Sequence, residues 1–537
     1  MVATERARLS SIQRRVLTLS CLAVVLVTAS MAALYTTLPE IAADTGASQS
    51  ELTWIVDGYT LALACLVLPG GALGDRYGRR IVLVVGLLIF AVASTAPLVL
   101  DSPLWLVVAR VITGVGAALV MPSTLSLITA GLPPQRRGGA VGLWAGVAGV
   151  GAILGILGSG VLSESWSWVS IFVGMAIAGA VLAVAALTLP ESVETSRPAM
   201  DPLGTLTSAL AVGAIVVAAI EVPARGWLDP MVLGASVIGV VLGVAFVVVE
   251  RRVAHPLIDV RLFADRGFGS GTAIVTVQFL VTFGLFMLVV QYFQLILGYR
   301  PLVAAFALAP MGLPMVAVSV IAPRLATRFG LRIPAFAGLV AIGAGMLLIA
   351  QVDVHTSYLD VLGPLVLMSA GIGLCTAPAT AAIVDGTPVA KHGVAAAVND
   401  AAREVGAAIG IAISGSVLAA GYGERIAPAL PSLPEAAREP VGDSLAAALE
   451  VVAQIGPAAQ QLGDFAKVAF LHGMRDSATV LGVLTIGAAV LIAAWAPGRR
   501  IAASAGEPGA VATEDTDLAA CAETGGNESP VDSATRP

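Results

Sequence analysis

Lysine is nearly missing from this 537-residue chain, which carries Lys391 and Lys467 and no others. A nucleotide-driven pump needs a glycine-rich phosphate loop that ends in Lys followed by Ser or Thr. Here the lysines are followed by His392 and Val468, so a site of that kind on this chain is excluded. Cysteine is as scarce. Cys21, Cys65, Cys375 and Cys521 lie far apart, three of them in apolar runs and none in a CxxC pair, which implies neither a disulfide framework nor zinc. The histidines His255, His355, His392 and His472 fall in separate loops or at helix ends without HExxH spacing, and each reads as a surface residue. No nucleophile–base set accompanies them, so neither an enzyme, a metal site nor a bound cofactor is expected. Charge is low as well: 12% of residues are charged, with a formal net charge of −6 that arises mostly in outer loops and an acidic tail. No basic patch interleaved with aromatics points to nucleic acid. Any work done by the protein must draw on an ion gradient.

Apolar sequence, in contrast, is abundant. Hydrophobic residues make up 57% of the chain and the mean hydropathy is +0.92, values of a polytopic all-α membrane protein and not of a soluble domain. A bilayer core of about 30 Å needs about 20 apolar residues per helix. Fourteen such runs are expected, over residues 16–39, 52–73, 81–100, 104–129, 139–162, 168–189, 203–221, 231–249, 271–297, 302–322, 333–351, 360–384, 394–419 and 476–496. The first follows RRV as a signal peptide would, but it is too long for one and reads as span 1. Segments such as RARLSSIQRR, DRYGRR, PPQRRG, ERRVAHPLIDVRLFADRGF, PRLATRFGLR and PGRR hold roughly 20 basic residues, against about two in loops such as ADTGASQSE and VDVHTSYLD. That bias places both termini in the cytoplasm and the protein in the cell (inner) membrane, in contact with lipid on all sides.

A faint internal repeat divides the chain. GALGDRYGRR (71–80) after the second span is echoed by PRLATRFGLR (323–332) after the tenth, and GVGAALVMPSTLSLI in span 4 by GIGLCTAPATAAIV in span 12, one residue out of step. The expected organisation is a cytoplasmic N-terminus (1–15), a six-helix bundle (16–189) and two inserted spans (190–250). A cytoplasmic linker (251–270) leads to a second six-helix bundle (271–497), interrupted by a long extracellular loop (421–475) that contains the amphipathic stretch LAAALEVVAQIGPAAQQL. A small, acidic, polar tail (498–537) completes the chain and is expected to be disordered and cytoplasmic.

Several charged residues fall where charge is expensive. Arg110 sits about seven residues into span 4, where a charge costs about 2.5–3.5 kcal/mol even on a lenient scale, so a partner or a wet cavity is expected. In VNDAAREVG, Asp400 lies about eight residues, or about 12 Å, into span 13. Asp400 and Glu404 are four apart on one face, with Arg403 three from Asp400. Either a local Asp400–Arg403 pair merely makes the charges tolerable, or the two acids against one base face a central cavity and take up a proton or a cation. Asp57 stands near the outer end of span 2, as an exposed helix-start carboxylate or as a further proton or cation site. In GALGDRYGRR, Gly71, Gly74 and Gly78 allow close approach and a tight turn, while Asp75 is placed to meet the N-terminus of a neighbouring helix or an arginine. Arg76, Arg79 and Arg80 serve as positive-inside anchors, as latch partners, or as both.

The same stretch, 71–80, matches position by position the loop pattern GxLaDrxGrk and on that basis resembles the major facilitator superfamily. WIVDGYTLALACLVLPGG (54–71), ARVITGVGAALVMPSTLSLI (109–128), VERRVAHPLIDVRLF (249–263) and VNDAAREVGAAIGIAISG (398–415) are similar to the 14-span drug/proton antiporter branch, bacterial quaternary-ammonium exporters included. The resemblance covers nearly all of residues 16–497 and implies two six-helix bundles rocking about a midplane cavity. It further implies a charge latch at Gly71, Asp75, Arg76, Gly78, Arg79 and Arg80 that holds the outward-facing state, proton transfer at Arg110, and an acidic coupling position at Asp57. Two departures stand out. The branch's GPxxGG in span 5 is GILGSG (155–160) here, which loses the proline kink, although Gly142, Gly151, Gly155 and Gly160 still permit tight packing. The acid usual in span 1 is Ala29, Tyr35 replaces an Asn, and an acid in span 10 of some relatives aligns with Met315.

The expected function is therefore monomeric, proton-coupled export of amphipathic, cationic or antibiotic compounds. Asp400 is the leading proton carrier, Arg403 its modulator and Glu404 the second acid nearer the midplane. The alternatives are a dedicated exporter of one endogenous metabolite or lipid and a non-transporting receptor or assembly protein. Phe279, Phe283, Phe286, Tyr292 and Phe293 in span 9 read either as cavity lining or as lipid contact and packing, and Trp166 and Trp168 as interfacial anchors.

Overall fold

The structure is a computed structural model that describes residues 9–34, 37–47, 49–99, 102–192, 201–253, 256–388 and 391–498. Its α-helices are, in order, α1 (Ser11–Ala32), α2 (Leu38–Thr45), α3 (Gln49–Tyr77), α4 (Arg79–Ala93), α5 (Pro103–Gly131), α6 (Pro134–Ser165), α7 (Val169–Ala186), α8 (Pro202–Arg225) and α9 (Pro230–Glu250). They continue with α10 (Arg266–Gln291), α11 (Pro301–Leu308), α12 (Gly312–Phe329), α13 (Arg332–Ile349), α14 (Tyr358–Asp385), α15 (His392–Ile426), α16 (Glu435–Asp443), α17 (Leu445–Ile455) and α18 (Gln460–Trp495). Among the described residues, fourteen segments, with α11 and α12 counted as one, are long and apolar enough to cross a membrane, the number read from the sequence. The tail from residue 499, Tyr35, His255 and Cys521 lie outside the described residues.

Local chemistry sets the helix starts. Ser10 and Gln13 form a reciprocal capping box that opens α1 at Ser11, five residues before the expected boundary. Helices α8 and α9 each begin with Asp then Pro, Asp201 accepting from the Gly204 amide and Asp229 from Met231, while Asp265 accepts from Gly267 and Phe268 to open α10. Each cap occupies orphan amides that lipid cannot serve. Within α6 no proline interrupts the run from 134 to 165, in keeping with the loss of GPxxGG.

The largest change from expectation lies between the last two spans. The stretch expected as a loop over 421–475 is helical for most of its length: α15 runs on to Ile426, α18 starts at Gln460, and α16 and α17 fold between them. Hydropathy marks where lipid ends, not where hydrogen bonding ends. With 35 and 36 residues, these helices are about 50 Å long, well beyond an apolar core of about 30 Å. Their ends stay helical because Tyr422, Ile426, Ala466, Ala469 and Phe470 keep a buried face. The Tyr422 hydroxyl donates to the Val441 carbonyl at 2.8 Å and holds α16 on α15.

Helices α1 and α3–α7 form one half and α10–α15 with α18 the other; α3 packs on α15 and α6 on α12 across the boundary. Hairpin α8–α9 is the insertion. Helix α8 lies against both α3 and α15, burying Val216, Ala219 and Val222 against Ala64, Ala408 and Ala412, whereas α9 buries little beyond Val232, Gly239 and Glu250. Two further bonds tie the hairpin down: Trp227 Nε1 donates to Ser416 Oγ at 3.1 Å, and the Ile258 amide donates to Glu250 Oε2 at 3.1 Å.

The sequence repeat is a structural repeat. Gly78 and Gly330 both have positive φ, 110° and 79°, which turns the chain sharply into α4 and α13. Arg76 lies over the Tyr77 ring at 5.5 Å, as Arg328 lies over Phe329 at 5.2 Å. Arg80 Nη1 donates to the Leu189 carbonyl and Arg332 Nε to that of Ala496, each at 3.1 Å and each just past the last helix of its own half. The ion pair breaks the symmetry: Asp75 and Arg79 have Thr327 and Leu331 as counterparts, and the Thr327 hydroxyl donates to the Arg324 carbonyl of its own helix.

Small residues bring the helices together. A Cβ on Gly142 would strike the Ser319 carbonyl and one on Gly160 would reach Leu302, both in the second half. One on Gly151 or Gly155 would collide with Thr28 or Ala29 of α1. Helix α6 thus presents one glycine edge to each neighbour, whereas a Cβ at Gly158 meets nothing within 4 Å. Gly155→Val is expected to cost about 1–3 kcal/mol, because the obstacle is backbone and cannot rotate away. Thermal unfolding of the solubilised protein checks this, with Gly158→Val expected to match the wild type.

Candidate functional site

Arg110 of α5 is wholly buried and bonds to α1 and α3 of the first half. Its Nε donates to the Ile55 carbonyl at 3.0 Å, Nη1 to Ser30 Oγ at 2.9 Å and Nη2 to the Ser30 carbonyl at 3.2 Å. The guanidinium also lies 4.4 Å from the centre of the Tyr59 ring, whose hydroxyl donates to the Val27 carbonyl at 2.9 Å. Carbonyl and hydroxyl oxygens joined by a π face can carry a buried cation at the junction of α1, α3 and α5. Nothing in the sequence marks Ser30, since a serine in an apolar run carries no distinguishing pattern.

The charged segment of α15 forms the second cluster, at the boundary between the halves. Asp400, Arg403 and Glu404 are all more than nine-tenths buried. Arg403 Nη1 approaches Asp400 Oδ1 at 3.5 Å, the i,i+3 pair that the spacing suggests, and this contact is long for a charge-assisted bond. Asn399 Nδ2 also donates to Asp400 Oδ1 at 3.3 Å, its own carbonyl being fixed by the Thr380 hydroxyl of α14 at 2.9 Å. Asp400 Oδ2 and Glu404 Oε2 are buried without a hydrogen-bond partner. Arg403 instead spends its charge on two rings, 4.6 Å from the centre of Phe279 on α10 and 5.5 Å from that of Trp144 on α6. Trp144 is locked by its Nε1, which donates to Thr124 Oγ1 at 3.1 Å. Two acids and one base therefore share a buried site whose carboxylates keep acceptor capacity that no protein donor fills, where an ion or a proton is favoured.

Between the two clusters stands Tyr59, within electrostatic reach of both Arg110 and Glu404. Asp57 points elsewhere. It is half-buried on α3, and the charge acting on it comes from Glu221 of α8, which pairs with Arg225 at 2.6 Å. The structure therefore does not bring Asp57 to Asp400. An inserted helix supplies its neighbour, and no local pattern announces that.

At the far end of the bundle Asp75 joins the halves. Its Oδ1 accepts from Arg79 Nη2 at 2.8 Å and Nε at 3.1 Å. The amides of Gly393 and Val394, in the first turn of α15, donate to Oδ1 and Oδ2 at 3.0 and 3.1 Å. A carboxylate here meets the positive end of a helix and an arginine together. Gly71 lies so near the Gly393 carbonyl that any side chain would separate α3 from α15. Arg80 pairs with Glu191 at 3.3 Å, and the Arg79 amide donates to the Ser192 carbonyl at 3.2 Å, so the turn is also fastened to the segment after α7.

Two expectations are corrected. His392 is 2% exposed, because the α3–α15 contact closes over the start of its helix. Trp168 is buried too, its Nε1 donating to Asp44 Oδ2 at 2.8 Å and its amide to Glu40 Oε1 at 3.2 Å, while Trp166 is 74% exposed. Helix α2 lies after the first span and supplies both acids. In the aromatic row of α10 and the turn that follows it, Phe279 stacks on Phe283 and touches Arg403, and Tyr292 and Phe293 of the turn are fully buried.

The model of the Major Facilitator Superfamily matches residues 20–411. The chain is 37% identical over 388 residues to the puromycin resistance protein pur8 of Streptomyces alboniger, covering 71% of this chain and 76% of that protein. It is 32% identical over 460 residues to the multidrug efflux pump LfrA of Mycolicibacterium smegmatis, covering 85% and 90%. Among solved structures, the proton:xylose symporter XylE shares the fold with a TM-score of 0.59 at 14% identity, over 91% of this chain and 96% of that one. With fourteen membrane-length helices in two bundles and an insertion, this multi-pass membrane protein belongs to the major facilitator superfamily.

Proposed function

We propose that the protein, as a monomer, exports amphipathic cationic drugs or antibiotics across the cytoplasmic membrane in exchange for protons. The observation that carries this reading is the buried trio Asp400, Arg403 and Glu404 at the boundary of the halves, with two carboxylate oxygens unpartnered. A site with one base for two acids can hold either a proton or a cationic substrate, and the exclusion of one by the other is what antiport requires. The names of the relatives, a puromycin resistance protein and a multidrug efflux pump among them, agree with drug export. The basic loops favour a cytoplasmic position for the end at residues 71–80, so the closed Asp75 contact corresponds to a state shut toward the cytoplasm. Rocking of the halves would open that end and close the other.

Everted membrane vesicles test the reading. Vesicles that carry the protein and are acidified inside should accumulate a fluorescent lipophilic cation and release protons as they do so. If neither occurs with a panel of cationic and neutral antibiotics, the exporter reading fails.

A further inference from the structure

We propose that the paired rings of Trp144 and Phe279 are the receptor for the charged head of an organic cation, and that Arg403 is a tethered stand-in which the substrate displaces. This rests on the export reading and names the substrate class of the same site: lipophilic cations with a diffuse or quaternary charge, such as phosphonium and ammonium compounds.

Three independent features converge. A guanidinium at 4.6 and 5.5 Å from two ring centres occupies the geometry by which aromatic walls hold onium ions, within the roughly 6 Å that such attraction spans. The walls are prebuilt: Trp144 is fully buried and fixed by Thr124, and Phe279 is backed by the Phe283 ring at 6.1 Å. The floor carries two acids against the one base, and Asp400 Oδ2 and Glu404 Oε2 are buried and unpartnered.

Arg403 is also poorly tied where it sits. Its contact with Asp400 is a single one at 3.5 Å, and a flexible stem carries the head. An incoming cation recovers both ring faces and both carboxylates, whereas a neutral compound recovers neither. The two walls belong to opposite halves, Trp144 on α6 and Phe279 on α10, so the exchange of one cation for the other occurs where the halves meet.

Equilibrium binding of radiolabelled tetraphenylphosphonium to the purified full-length protein in nanodiscs tests this. Arg403→Ala removes the internal competitor and is expected to tighten binding about tenfold, the scale of a desolvated cation–π contact. Adding Phe279→Leu to that variant should erase the gain. Where Arg403→Ala is not recovered folded, Arg403→Gln, long and uncharged, serves the same comparison and should move binding in the same direction. Binding equal to or weaker than wild type in the folded variant overturns the proposal, as does a gain that survives Phe279→Leu. Wild-type vesicles that transport the cation while the variant shows no gain reject the ring receptor alone. Wild-type vesicles that transport nothing reject export itself.

Discussion

Asp400→Asn is expected to reduce gradient-driven accumulation of a lipophilic cation to the level of vesicles lacking the protein, while the variant still inserts and purifies as a folded species. The amide keeps the shape of the carboxylate and an oxygen for Asn399 and Arg403, so packing at this fully enclosed position is preserved. What disappears is the capacity to alternate between a charged and a neutral form. With Asp400 neutral, Glu404 alone opposes Arg403, and the surplus acid that distinguishes the site is gone. A residue acting only as a structural partner would show the opposite pattern, with lowered thermal stability and retained transport. Near-wild-type accumulation in Asp400→Asn would remove Asp400 from the coupling role.

Asp75→Ala is expected to shift the balance of conformations strongly toward a state open at the α3–α15 contact. One carboxylate there serves Arg79 of its own half and two amides of α15 in the other. The Asp75–Arg79 pair lies within one half, so its loss weighs on both states alike. The bonds to Gly393 and Val394 form only when the halves are closed at this end, and a hydrogen bond to a charged group is worth about 1.5–3 kcal/mol. Losing both changes the ratio of the two states by about a hundredfold or more. Spin labels at exposed Tyr77 and Arg328, one on each half, should report a longer distance in the variant than in the wild type by pulsed electron resonance. An unchanged distance distribution would mean that Asp75 stabilises the α3–α4 turn without latching the halves. Thr327, at the equivalent position of the second half, bonds only within its own helix, so Thr327→Ala should leave the distribution as it is.

The contrast between Asp75 and Thr327 shows how a repeat becomes directional. Both turns share the positive-φ glycine, the arginine over an aromatic ring and the arginine on a helix-end carbonyl. Those features shape the turn and were kept in both copies. The acid that reaches across to the other half is present in one, which leaves the α3–α15 contact electrostatic and the α6–α12 contact a matter of small residues against backbone. Two interfaces with different chemistry respond differently to charge.

Much of the fold is legible in the residues themselves. Fourteen apolar runs, the repeat around Gly78 and Gly330, and the Asp-Pro helix starts follow from hydropathy, backbone conformation and capping, each confined to a few neighbouring positions. The Asp400–Arg403 contact belongs with them, because three residues along a helix is a fixed distance. Helix ends beyond the membrane escape this reading: Tyr422 to Ile426 and Gln460 to Arg475 are polar enough to resemble a loop, and only their packing on one another keeps them helical.

Tertiary structure decided which side chains surround each charge. That Arg403 lies between Trp144 and Phe279, that Arg110 finds Ser30, Ile55 and Tyr59, and that Asp75 caps α15 are contacts between residues far apart in the chain. Their physical basis is the azimuth at which each helix meets its neighbours. The glycine contacts of α6 and the packing of α8 against both α3 and α15 set that angle, and periodicity along one helix leaves it open. The sequence by itself determined that charges are buried in the membrane; the packing of the helices determined what they are buried against.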